Sequence, residues 1–267
     1  MTRELARTGI PIIYDPDTMR SPARSGESAR APKASETTAA MIVSDIVSLG
    51  LSRGDRLPAE NAMLADYSVS RETLREALRI LEVQGLITLK RGPGGGPFVG
   101  ALNASYLART ASLYFHLAGA TYDEVFDTWM VLEPPLSAKV ARIEDRAMKE
   151  AAFSRFLDYD AADHQSNEIV GDFTNFHTVI AELSGNRVLT LLTQAIDHIV
   201  VEHVLDAARG TLGEDDSMSH DHTEIARAII AGRPRKAETL MHEHINDVVE
   251  RFRARHPDRA SELVQWM

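Results

Sequence analysis

No cysteine occurs in the 267 residues. That excludes a disulfide scaffold and any thiolate metal site, and it fits a reducing cytoplasm. No stretch of about 18 uninterrupted apolar residues occurs either, so no transmembrane helix is expected. Residues 1–34 mix Pro, Ser, Arg and acids and lack the apolar segment of a secretory signal. A basic excess is also missing: 29 Lys and Arg stand against 39 Asp and Glu, a formal net charge of −10. That balance argues against gripping a polyanion with the chain as a whole. The acid is unevenly spread, however. Residues 1–100 carry 13 basic and 12 acidic side chains, whereas residues 101–267 carry 16 and 27. Attraction to phosphate fades within a Debye length, roughly 8–10 Å, so a local arginine stripe decides contact with DNA. A near-neutral first part predicts modest non-specific affinity and dependence on a second copy.

Between Arg53 and Val99 the pattern is dense. Thr37 to Leu49 has apolar residues at helical spacing and is closed by Gly50. Arg53-Gly54-Asp55 makes a turn, and Pro58 precedes a short helix running to about Tyr67. Ser70 is the expected N-cap of a helix from Arg71 to Val83, which Gly85 ends. Short strands are expected at Leu86–Lys90 and Pro97–Gly100, around a glycine-rich loop. Helix, turn, helix and hairpin in that order predict a winged helix-turn-helix, which places its second helix in the DNA major groove.

On that second helix Leu74, Ala77, Leu78 and Leu81 fall within an arc of about 100°. Arg71, Arg75 and Arg79 follow at i, i+4 and i+8 beside it. Arginine bonds phosphate and is bidentate to guanine, and Ser70 and Thr73 suit phosphate or base edges. Gly92 to Gly96 is not a nucleotide loop, because no Lys-Ser/Thr pair follows and a strand stands where a helix should start. It reads as a wing tip, with Gly94 and Gly95 approaching DNA and Lys90 and Arg91 touching phosphate.

Residues 101–257 show no strand alternation. Helices are expected over 104–118, 121–142 (bent at Pro134-Pro135), 145–159, 166–184, 186–209, 217–231 and 234–255, with breaks at glycines and Pro234. The expected fold is therefore mainly α. A flexible arm (1–34) precedes a winged head (35–100), an all-α antiparallel bundle (101–257) and a C-terminal tail (258–267).

Gly54-Asp55-Arg56-Leu57-Pro58-Ala59-Glu60, Val69-Ser70-Arg71, Leu74-Arg75-Glu76-Ala77-Leu78 and Gly85-Leu86-Ile87 closely resemble the GntR family of bacterial transcription regulators. Leu132-Glu133-Pro134, Phe176-His177, Ser184-Gly185-Asn186, His222-Thr223-Glu224-Ile225 and Ala237 to His244 resemble the FCD ligand-binding domain of its FadR subfamily. The resemblance implies operator contacts from Arg71 and Arg75. A third family arginine is replaced by Asn61, and the family glycine before Val-Ser-Arg by Ser68.

All ten histidines lie after residue 100. The resemblance singles out His177, His222 and His244 as ligands of a divalent metal, zinc or nickel, at the centre of the bundle. The family's acidic fourth ligand falls at Phe173, with Asp172 adjacent but turned by about 100°. A family arginine four residues before Glu133, a partner for an effector carboxylate, falls at Trp129. With Asn186, these positions outline an effector pocket more apolar than usual.

The function expected is that of a cytoplasmic, nucleoid-associated, dimeric regulator and not an enzyme. It would bind a palindromic operator and respond, as a repressor, to a small, partly apolar organic acid. One alternative is a metal-free sensor of acyl-CoA or another lipid-like ligand. A remote one is a metal-dependent hydrolase using the three histidines with His220, Asp221 and Glu224. Glu224 lies about 200° from His222 on a helix, a poor place for a base, and no His-Glu-x-x-His motif occurs.

Overall fold

The computed structural model describes residues 32–101, 103–157, 176–205 and 217–267. Most of the expected arm, Asp172, Phe173 and the side chain of His220 lie outside the described residues. Contacts divide the chain into two compact units between Tyr106 and Leu107.

The first unit holds α1 (Ala34–Ser48), α2 (Glu60–Asp66), α3 (Arg71–Val83), β1 (Ile87–Lys90) and β2 (Gly96–Val99). Helix α1 begins three residues before the expected Thr37. The strands pair antiparallel, Ile87 opposite Val99 and Lys90 opposite Gly96. The segment before α2 joins them: Leu57 N–H donates to Pro97 O and Val99 N–H to Asp55 O. Helix α1 packs on α3, and Ile42, Leu57, Met63, Leu74, Leu81 and Ile87 close a small core. In the turn between α2 and α3, Ser68 has φ +52°. A left-handed backbone costs a residue with a Cβ about 1–2 kcal/mol, which explains why glycine suits this place.

The second unit is helical. It contains α4 (Ala104–Ala118, whose first turn lies before the division), α5 (Tyr122–Ala141) and α6 (Arg146–Phe153). Next come α7 (residues 176–183), α8 (Arg187–Val200), α9 (Ser217–Ile230) and α10 (Pro234–Arg255). Two expected helices end early. Helix α6 gives way to a 3-10 turn at Ser154–Phe156, and α8 to a π-helical turn at Val201–Leu205. Thr121 and Glu124 form a reciprocal cap at the start of α5. That helix runs on through Pro134 and Pro135. Helices α5 and α10 make the most extensive pairing, and α8 and α9 also pack on α5. Phe126, Trp129, Phe153, Phe176, Ile229, Met241 and Ile245 lie in the core.

Residues 258–267 are not a loose tail. Val264 is fully buried. Its N–H donates to Ala120 O, and its carbonyl meets His116 Nδ1 at 2.9 Å. Gln265 N–H donates to the Tyr122 hydroxyl and Met267 N–H to Ser112 Oγ.

Candidate nucleic-acid interface and metal centre

Helix α3 combines a buried stripe with an exposed basic one. Leu74, Ala77, Leu78 and Leu81 face the core. The side chains of Arg71, Arg75 and Arg79 are 58%, 67% and 71% exposed. Ser70 caps the helix by accepting the Thr73 N–H at 3.1 Å, and the two hydroxyls lie 2.9 Å apart.

The first turn of α2 steadies the arginines. Glu60 Oε1 accepts from Arg71 Nη1 at 3.3 Å and lies 3.4 Å from Arg75 Nε. Asn61 Oδ1 accepts from Arg71 Nη2 at 3.2 Å. Arg79 instead pairs with Glu82 at 2.7 Å. On the wing, Lys90 Nζ sits 4.3 Å over the Phe98 ring, and Arg91 and Gly94 are exposed. Gly95 leaves no room for a side chain, since a Cβ would lie 2.4 Å from Lys90 O.

Arg56, passed over in reading the sequence, donates from Nη2 to Gly95 O at 2.7 Å and so ties the wing to the segment before α2. Between α3 and the wing lies an open cleft of about 990 Å³ bordered by Arg56, Arg75, Arg79 and Arg91, with Glu60 and Glu82. Fixed positive groups on a groove-sized concavity are suited to phosphate and base edges.

In the helical unit α7, α9 and α10 each contribute one buried histidine: His177, His222 and His244. One ring nitrogen from each lies within 4.8 Å of the others, and His222 Nε2 is 3.2 Å from His244 Nε2. Phe176 stacks on His222 with ring centres 4.2 Å apart.

Two carboxylates hold the rings from behind. Glu133 Oε2 meets His177 Nδ1, and Asp221 Oδ2 lies 3.3 Å from His244 Nδ1. With a proton on each Nδ1, the Nε2 lone pairs turn toward the common centre. This is the carboxylate–histidine arrangement that orients metal ligands.

Burial lowers all three histidines, His177 to about 4. Proximity to each other reinforces the effect at His222 and His244. Near neutral pH the rings are uncharged, the form that binds metal. Three neutral imidazoles fixed on three helices could hold a divalent ion of the zinc or nickel kind, which such nitrogen donors suit.

Trp129 is fully buried, its ring centre 5.7 Å from that of His177. One turn on, Glu133 is also buried, and desolvation pushes its carboxyl up to about 8. The surroundings are less apolar than Trp129 suggests, because α8 brings in Asp197 and Thr193, both buried. Desolvation and the neighbouring Glu133 push the Asp197 carboxyl well above its usual range, while Trp129 favours the charged form of both acids.

Asp197 was legible only as the one acid in an apolar run, and Asp221 only as a neighbour of His222. Asn186 uses its side-chain oxygen to cap α8, accepting from Val188 N–H at 3.1 Å and Leu189 N–H at 3.2 Å. Glu224, the base required by a hydrolase, pairs with Arg227 on its own helix.

Residues 34–96 match the family model of bacterial regulatory proteins, gntR family, and residues 124–247 match the FCD domain. The HTH-type transcriptional repressor NanR of Edwardsiella tarda is 26% identical over 260 residues, covering 88% of this chain and 93% of that protein. NanR of Escherichia coli K12 is 27% identical over 212 residues, covering 73% and 75%. Among solved structures, Streptococcus agalactiae GntR superposes with a TM-score of 0.60 at 22% identity, over 81% of this chain and 99% of that one. That likeness shows the fold alone. No helix among the described residues is long and apolar enough to cross a membrane. Head and bundle together show that the chain belongs to the GntR family with an FCD domain: it is a ligand-responsive, DNA-binding transcriptional regulator and not an enzyme.

Proposed function

We propose that this regulator is a cytoplasmic repressor that binds a palindromic operator as a homodimer and is controlled by a small-molecule effector beside His177, His222 and His244. The observation that carries the DNA half is the exposed row Arg71, Arg75 and Arg79, of which Arg75 and Arg79 border the cleft beside the wing. Two-fold symmetry of two heads calls for two half-sites about one helical turn, roughly 34–36 Å, or a multiple apart. The near-neutral charge of residues 1–100 makes one head weak and two heads useful. Asn61 and Ser70 to Arg79 take base edges and nearby phosphates, while Lys90, Arg91, Gly94 and Gly95 take backbone.

In the helical unit the three imidazoles would hold zinc or nickel. When bound, the ion supplies a Lewis-acidic anchor for an electron-rich group of the effector. Glu133 and Asp221 orient the ligating rings, and Trp129 walls the site. An effector changes DNA affinity only to the extent that it binds the two head arrangements differently.

Selection of bound DNA fragments from genomic DNA, followed by titration of the enriched duplex at fixed salt, tests the reading. The expected result is a palindromic site bound by two chains. Equal affinity for enriched and random duplexes overturns it. Metal analysis of tag-free protein, with a histidine variant alongside, tests the metal.

A further inference from the structure

Residues 54–57 form an extra edge beside β2. Gly54 N–H donates to Val99 O, Val99 N–H to Asp55 O and Leu57 N–H to Pro97 O. Arg56 stands opposite Phe98 in an antiparallel bridge. From that edge its side chain runs over Gly96, where a Cβ would come within 3.7 Å of Arg56 Nε and Nη2. Nη2 donates to Gly95 O at 2.7 Å. Arg56 is thus exposed yet held in place. A guanidinium carries five N–H donors, and that bond uses one.

The positive charges around the cleft between α3 and the wing are unequally matched. Arg75 has Glu60 at 3.4 Å and Arg79 has Glu82 at 2.7 Å. Arg56 and Arg91 border the same cleft, and no acid among the described residues forms an ion pair with either. A guanidinium fixed by a neutral carbonyl keeps its full charge for an anion from outside, and phosphate suits its planar fork.

DNA offers such an anion at a defined place. The major groove is about 12 Å wide. With α3 inside it, the sugar-phosphate strand at the groove's edge runs past the flank of α3, where the wing stands. We propose that Arg56 is a DNA-contacting residue that binds a backbone phosphate of this strand, while its bond to Gly95 O holds the wing tip beside it. This rests on α3 lying in the major groove. The contact adds affinity on any sequence, because a phosphate carries no base identity.

The test uses the full-length chain, the duplex enriched from genomic DNA and a scrambled duplex, each titrated at several salt concentrations. Arg56→Met removes the charge and the donors but keeps a long side chain. It should weaken both duplexes alike, on the order of tenfold, and flatten the salt slope by about one unit. Arg56→Lys keeps the charge and should keep the slope. Both should melt close to wild type, because the bond lost is exposed. A loss confined to the enriched duplex marks a base contact and overturns the proposal. So does an unchanged slope in Arg56→Met, or an equally flattened slope in Arg56→Lys. Should Arg56→Met fail to fold, neutral methylphosphonate replaces single phosphates of the enriched duplex against wild-type protein. Binding must then weaken at a phosphate flanking the bases that α3 protects, and the absence of such a phosphate overturns the proposal. Arg75→Ala on the same duplexes reads α3 by itself, so failure of the recognition helix is distinguishable from failure of the Arg56 contact.

Discussion

Arg75→Ala separates DNA reading from folding. The Arg75 side chain is two-thirds exposed, and its ion pair with Glu60 is 3.4 Å long with Glu60 one-third exposed. Exposed pairs of this kind contribute about 0–1 kcal/mol, so the melting temperature should barely move. On the operator the same guanidinium, in the middle of the exposed row, is placed to read a base. Losing one bidentate base contact costs about 1–3 kcal/mol, or roughly 5- to 150-fold in Kd. Fluorescence anisotropy with the selected operator and with a scrambled duplex, each at several salt concentrations, measures it. A base contact weakens the operator complex and leaves the scrambled one nearly unchanged. A phosphate contact weakens both alike and flattens the salt slope by about one unit. Unchanged operator affinity, or a variant that unfolds, refutes the reasoning. Arg79→Ala is the internal comparison. Its 2.7 Å pair with Glu82 must break before it can touch DNA, so its loss should matter less.

Further expectations concern the metal centre and the head. Zinc at about a hundredfold excess over its Kd stabilises the protein by about 2.7 kcal/mol, seen as a rise in melting temperature that a chelator reverses and that His222→Ala abolishes. Glu133→Gln keeps the side-chain shape but replaces the carboxyl group that meets His177 Nδ1. Zinc affinity should fall about 10- to 100-fold with unchanged circular dichroism, and full retention would show that Glu133 does not orient the ligand. Gly85→Ala places a Cβ on a residue with φ +71°, 2.1 Å from the Tyr106 ring. It should destabilise the head by about 1–2 kcal/mol from backbone strain alone, measured by urea denaturation, and equal stability would contradict that conformation.

Much of the architecture was legible in the sequence because its ends are written in local chemistry. Helix α3 occupies the expected Arg71–Val83 because Ser70 can cap it and Gly85, at positive φ, can end it. Helix α10 starts at Pro234, where a missing N–H does no harm. Ends without such signals went astray. Helix α8 stops at Val200 because its ladder shifts to π-type bonding over Val201–Leu205, and residue type does not announce that change.

In the site, the histidines were visible through resemblance. The residues that orient them or lie beside them were not. Asp197 meets Glu133 only because α8 crosses α5, and Arg56 meets Gly95 across 39 residues. Both relations are tertiary, so spacing along the chain carries no trace of them.

The anchoring of residues 259–267 bears on how the protein is made. The His116 ring meets Val264 O across 148 residues, and Met267 N–H donates to Ser112 Oγ across 155. The corner where α4 turns into α5 therefore waits, during synthesis, for almost the whole remaining chain. Until Val264 emerges, Ala120 O lacks the N–H it accepts in the finished fold, and the apolar wall that this residue covers faces water. The winged head, closed entirely by contacts among its own neighbours in sequence, has no such delay. A nascent chain should thus carry a finished DNA-binding module well before its regulatory partner can close.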